Sequence, residues 1–238
     1  MTGGYDTASK ITYSLAHDAA NKYGRPNYWL RYLAPSPAAT LITDTPNTEC
    51  QNIWDVGGPH LAPITEPTQS VLGQDYASGQ SHAQTFANAL VNLWNDVTPL
   101  ITPTNGVLYS WLGQENTTHL SQGFWNGWAA YINTFNFAGL GEILYASLYC
   151  TPHSDDSCAV TNSATGNSTC FALWSPEPQR CGNNLNNPPS YGPTGCADTP
   201  TNLWQFAEEG ACGLTVNVDM DVSNLNYVDY CFYLSRRP

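Results

Sequence analysis

Val107-Leu108-Tyr109-Ser110-Trp111-Leu112-Gly113-Gln114-Glu115 is an apolar and aromatic run of strand length that ends on a carboxylate. The same pattern recurs at Gly3-Gly4-Tyr5-Asp6, at His60-Leu61-Ala62-Pro63-Ile64-Thr65-Glu66, at Leu203-Trp204-Gln205-Phe206-Ala207-Glu208 and at Val216-Asn217-Val218-Asp219-Met220-Asp221. Only 19 of the 238 residues are acidic, so their repeated placement at strand ends is informative. In a (β/α)₈ barrel all strand ends converge on one face, where active sites are built. Acids far apart in sequence would then share one cleft.

Helical patterns alternate with these runs. Residues 10–23 carry Ile11, Leu15 and Ala19 at helical spacing and close at Gly24, with Pro26 beyond. Residues 27–33 suit a buried strand, residues 45–56 a weaker helix stopped by Gly57-Gly58, residues 78–94 a clear helix, and residues 119–135 a Trp-rich one. Residues 142–149, 171–175, 202–208 and 215–222 read as further strands. Two polar stretches, 151–169 and 182–200, look like disulfide-tied loops standing in for helices. The expectation is one domain over residues 1–238: an α/β, (β/α)₈ TIM-type barrel, irregular in its second half, with disulfide-stapled loops.

The chain has 7 basic residues against 19 acids, a net charge of −12. A phosphate backbone or an anionic membrane surface is therefore an unfavourable partner, which argues against nucleic acid, whereas a neutral or cationic ligand fits. No apolar run approaches the ~20 residues of a membrane span. No signal-peptide pattern precedes Gly3, so Met1-Thr2 reads as the start of a mature chain. The eight cysteines (Cys50, Cys150, Cys158, Cys170, Cys181, Cys196, Cys212 and Cys231) form an even set without a Cys-x-x-Cys pair, which reads as disulfides rather than zinc or redox chemistry. Local closure suggests Cys158 with Cys170, Cys181 with Cys196 and Cys212 with Cys231, leaving Cys50 for Cys150. Disulfides imply an oxidising, extracellular setting. The triplets Asn116-Thr117-Thr118 and Asn167-Ser168-Thr169 fit glycosylation there, and fit chance as well.

Cleavage of a glycosidic bond needs two carboxyl groups, one holding a proton and one ionised. Asp6, Glu115, Asp219 and Asp221 are the candidates, and the spacing of the last two puts both side chains on one side of a strand. Capping of the following helices is the competing role for such acids, but Thr7 and Ser9, or Thr117 and Thr118, stand nearer the helix starts. Arg31, set in an apolar strand, reads as the partner or the orienter of a barrel carboxylate. Trp111, Tyr149, Trp174 and Trp204 are candidate platforms for sugar rings, with Trp174 and Trp204 the better placed; core packing is their other role. The five histidines have no metal-ligand spacing, and no Gly-x-Ser-x-Gly elbow or phosphate-binding glycine motif is present, so no metal or cofactor is expected.

Gly4-Tyr5-Asp6, Trp29-Leu30-Arg31-Tyr32-Leu33, Gly79-Gln80-Ser81-His82-Ala83, Phe124-Trp125-Asn126-Gly127-Trp128, Leu144-Tyr145-Ala146-Ser147, Trp204-Gln205-Phe206 and Val218-Asp219-Met220-Asp221 follow one another in an order that resembles the glycoside-hydrolase-like TIM barrels of domain-of-unknown-function family 1906. More distantly the order is similar to the family 25 glycoside hydrolases, the lysozymes. The resemblance covers almost the whole chain. It implies a (β/α)₈-type barrel, secretion, and a cleft acting on cell-wall or other glycans. Family 25 carries an Asp on its first strand, an Asp-x-Glu pair ending the fourth and a Val-Asp on the last; these match Asp6, Glu115 and Asp219. The residue two before Glu115 is Gly113, where the family pattern has an acid. The reading is therefore a secreted glycoside hydrolase with Glu115 as proton donor and Asp6 and Asp219 as its stabilising or base partners. Asp221, Glu66, Arg31, Trp174, Trp204, Gln205 and Tyr149 are its expected substrate contacts. A glycan-binding barrel without turnover and a disulfide-stapled extracellular structural or adhesion protein are the alternatives.

Overall fold

The computed structural model describes residues 1–42, 48–96, 100–101, 106–115, 120–137, 142–150, 160, 170–195, 199–224 and 226–234. Eight strands close into a barrel in the order β1 (Thr2–Thr7), β2 (Tyr28–Tyr32), β3 (His60–Thr65), β5 (Val107–Gly113), β7 (Glu142–Tyr149), β8 (Leu173–Pro176), β9 (Thr201–Ala207) and β10 (Asp219–Ser223), which returns to β1. Two short strands, β4 (Leu100–Ile101) and β11 (Phe232–Leu234), extend the sheet, with β11 paired to the first residues of β3. A third, β6 (Asn136–Phe137), pairs with β7. The fold is an α/β barrel of largely parallel strands.

The expected run of eight parallel strands fails at β10, which lies antiparallel to both β1 and β9. Only residues 208–218 separate β9 from β10, and their helix is four residues long, α5 (Glu209–Cys212). A parallel crossover needs a dozen or more residues and a packed helix; this connection supports a hairpin-like return instead. Asp219 consequently begins its strand at the barrel mouth, the same end at which β1 finishes. The strand itself starts at Asp219, so the expected span of residues 215–222 is too long at its front.

Four longer helices cover the outside: α1 (Tyr13–Tyr23), α2 (Thr48–Asp55), α3 (Tyr76–Asp96) and α4 (Gln122–Ile132). Thr12 caps α1 by accepting from the Leu15 N–H, and Ser121 caps α4 by accepting from the Phe124 N–H. Neither Asp6 nor Glu115 is spent as a helix cap. Strand alternation splits the core into two layers. Trp29, Leu61, Leu108, Leu112, Leu144, Leu148, Trp204, Phe206, Met220 and Val222 face the helices. Tyr28, Leu30, Tyr32, Ala62, Ile64, Tyr109, Trp111, Trp174, Leu203 and Tyr227 fill the barrel interior.

The disulfide expectations are corrected. Cys181 pairs with Cys212, joining the segment after β8 to α5 with Cα atoms 5.0 Å apart. The pairings of Cys181 with Cys196 and of Cys212 with Cys231 therefore do not form. Cys170 and Cys231 are buried thiols whose sulfurs donate to the carbonyls of Ala172 and Tyr227. Cys50 and Cys150 are likewise buried thiols, not joined to each other. Cys158, Cys196 and both glycosylation-type triplets lie at least in part outside the described residues.

Candidate active site

The ends of β1, β2, β3, β5, β7 and β9 and the start of β10 place Asp6, Tyr32, Glu66, Glu115, Tyr149, Gln205 and Asp219 at one mouth. Burial, and then the negative charges of Asp6, Glu66, Glu115 and Asp219, hold the Tyr32 hydroxyl well above its ordinary range. Tyr149 is raised in the same way by burial and by Asp6, Glu115, Tyr32 and Asp219. The dispersed acids therefore sit within electrostatic reach of one another.

Beneath the mouth, Asp6 (4% exposed) and Asp221 (0%) are buried, and the Oδ2 atom of each meets no donor group of the protein. The two side chains are hydrogen-bonded to one another. Two buried carboxyls so close cannot both ionise without mutual repulsion. Burial, then the charges of Asp221 and Asp219, drives Asp6 well above the usual carboxylate range. Burial raises Asp221 as well, against the stabilising donors. The remaining Asp221 oxygen accepts from Trp174 Nε1 at 2.8 Å.

Asp219 is held differently. Its Oδ1 accepts from the Glu209 N–H at 2.6 Å and its Oδ2 from Gln205 Nε2 at 2.8 Å, while Gln205 Oε1 accepts from the Tyr149 hydroxyl at 2.9 Å. Partial burial and the charges of Glu208 and Glu209 push Asp219 up to about 7, opposed by those N–H donors, which favour its ionised form.

The fourth group is Glu115 with Glu66. Their backbones are fixed by side chains: Glu66 N–H donates to Ser36 Oγ, and Glu115 N–H to Gln69 Oε1, both at 2.9 Å. The carboxyls are hydrogen-bonded to one another. Burial and then the Glu115 charge push Glu66 up to about 7. Burial raises Glu115, and the bond from Glu66 opposes that rise. Beside Glu66 a cavity of about 290 Å³ opens, lined by Ala34, Pro35, Pro37, Leu41, Pro67 and His82 among others. Burial lowers His82 to about 4, so that wall is uncharged at neutral pH.

Three expected contacts lie elsewhere. Arg31 alternates with the inward-facing Leu30 and Tyr32 and so points at α2, where it is fully buried. Its Nε reaches Glu49 Oε1 at 2.6 Å, and its other nitrogens donate to the Thr7 and Thr40 carbonyls. This is an ion pair between strand and helix, with no barrel carboxylate in it. Trp204 is 3% exposed, faces outward against Phe206 and donates to the Glu177 carbonyl. Trp174 is inside the barrel but fully buried in its floor with Trp111. No face of Trp174 or Trp204 is open for a sugar ring. Tyr32, Gln69 and Ser36 were not among the expected site residues. The signal for Tyr32 was present in its alternation with Leu30.

No protein-family model matches the chain, and no curated protein matches it. Solved structures do. An uncharacterized B. stearothermophilus protein is similar with a TM-score of 0.76 at 19% identity, covering 97% of this chain and 100% of that one. A Tat-secreted protein of Mycobacterium tuberculosis is similar with a TM-score of 0.51 at 13% identity, covering 93% of this chain and 95% of that one. The Clostridium perfringens spore cortex lytic enzyme SleM has a TM-score of 0.49 at 15% identity, covering 93% of this chain and 67% of its own. At such identities the first two likenesses speak for the fold.

Proposed function

We propose that this protein is a secreted glycoside-hydrolase-like enzyme of the TIM-barrel type, related to domain-of-unknown-function family 1906 and acting on a neutral or cationic polysaccharide. The observation that carries the reading is the division of labour at the mouth. Glu115 lies against the Glu66 carboxyl, and burial raises both above the usual carboxylate range, so together they can carry a transferable proton, whereas Asp219 has an N–H donor on each oxygen to stabilise its ionised form when its proton leaves. Glycoside cleavage requires that pair of roles. Glu115 would protonate the departing glycosidic oxygen as the C–O bond breaks. Asp219 would stabilise the cationic sugar ring or take a proton from the attacking water, with Asp6 buried beneath it.

The net charge of −12 disfavours anionic substrates. The uncharged cavity beside Glu66 suits a neutral substituent of the sugar. The disulfide supports an oxidising, extracellular location. A non-catalytic glycan binder is the second reading, favoured by the shielding of Asp6 and by the absence of an acid at position 113. Hydrolysis assays on peptidoglycan, chitin and α- and β-glucans separate the two: turnover by the wild type supports the enzyme, and binding without turnover supports the binder.

A further inference from the structure

Gly113 and Glu66 occupy neighbouring strand ends. Strands β3 and β5 pair in parallel with Thr65 opposite Leu112, so the next residue of each, Glu66 and Gly113, come side by side. A Cβ at position 113 would stand 3.2 Å from Glu66 Cγ and 3.3 Å from Glu66 Cβ, tighter than ordinary contacts. The space that a side chain on β5 would fill is thus taken by the Glu66 side chain of β3. From there it reaches Glu115, two residues beyond Gly113. Ser36 and Gln69 clamp the two glutamate backbones in that relation.

We infer that Glu66 is the proton-positioning partner of Glu115, and that the missing side chain at Gly113 is what admits it. This rests on the proposed hydrolase reading. The two carboxyls, on adjacent strands, form one unit that shares a single proton. In the reaction the Glu115 O–H bond breaks as the glycosidic C–O bond breaks, the bonding pair passing to the leaving oxygen, which takes the proton. The pair is left as two carboxylates, and the proton that the attacking water releases as its oxygen bonds to the sugar carbon returns to the pair, restoring its charge. Asp6 and Asp219 face the unit from β1 and β10, Glu208 from the end of β9, and the Tyr32 and Tyr149 hydroxyls from β2 and β7. The negative charges of Asp6 and Glu208 oppose loss of the shared proton, while the two tyrosines stay uncharged.

The test is carboxyl titration by ¹³C NMR of glutamate-labelled protein, which needs no substrate. In the wild type two glutamate carboxyls should titrate in separated steps belonging to the pair. In Glu66→Gln, and likewise in Glu115→Gln, the remaining partner should titrate in one step between them. Gly113→Ala, which crowds Glu66 without touching a carboxyl, should draw the two steps together. Wherever the wild type has turnover, Glu66→Gln should also move the basic limb of its pH–rate profile to lower pH. Coupled titration supports the inference whether or not any polysaccharide is cleaved, which keeps it distinct from the hydrolase reading. A Glu115 titration unchanged by Glu66→Gln overturns it.

Discussion

Asp219 stands directly opposite Asp6 across the antiparallel pairing of β10 with β1, with Asp221 one repeat below and opposite Gly4. The last strand thus delivers two carboxyls at two depths, one at the mouth and one in the floor. The upper one is furnished with N–H donors, and the lower one lies buried against Asp6, its charge raising that carboxyl further.

That arrangement makes stability depend on pH. Folding raises Asp219 and Glu66 to about 7 from ordinary carboxylate values. A group raised by folding contributes stability that is complete below its unfolded value, near 4, and is lost as pH rises through about 7. The melting temperature should therefore fall between pH 5 and pH 8. Asp219→Asn should flatten that slope and leave the variant at least ~1 kcal/mol more favourable, relative to wild type, at pH 8 than at pH 5. Thermal melts across this range check the sign; a wild type that gains stability from pH 5 to 8 contradicts it.

Arg31 and Glu49 should behave as a buried ion pair. Arg31→Met leaves a buried carboxylate without its cation and should cost about 3–5 kcal/mol. Adding Glu49→Leu to that variant should recover most of the loss. Urea unfolding of the two variants measures this, and a single variant that unfolds at the wild-type midpoint rules out the pair as a structural element.

Trp174→Phe removes the indole donor from the buried Asp221. Leaving that acceptor unsatisfied should cost about 1–3 kcal/mol. Because neither Trp174 nor Trp204 is open to solvent, any glycan affinity lost with them should track loss of folding, seen by circular dichroism alongside binding.

Thiol titration of the denatured, unreduced protein should find at least two reactive thiols, those of Cys170 and Cys231. Mapping of the intact chain should recover a peptide joined through Cys181 and Cys212. A protein with every cysteine bridged would contradict this pattern.

The barrel was legible because each strand announces itself locally, through apolar runs such as residues 107–115 bounded by helical periodicity. Asp6, Glu66 and Glu115 followed directly, since in a parallel strand the mouth is the C-terminal end. What the sequence withheld depends on other strands. The reversal of β10 is set by the short connection through α5 and by pairing with β1, neither of which has a local pattern. Arg31 was misjudged although its alternation with Leu30 and Tyr32 pointed outward; the partner Glu49 lies on α2, 18 residues away. Trp174 and Trp204 read as surface platforms because an aromatic on a strand carries no mark of its burial. Gly113 read as an absence, whereas the structure shows the neighbouring Glu66 in the space.

The central claim is that the carboxyls at the mouth cleave a glycosidic bond with Glu115 as proton donor. Its most direct test is the turnover of Glu115→Gln beside wild type on whichever polysaccharide of the panel the wild type hydrolyses, with binding and melting temperature measured on the same samples. The account predicts a loss of at least ~10²-fold in kcat with binding and stability near wild type; equal turnover in Glu115→Gln, or no hydrolysis of any panel glycan by the wild type, would contradict it.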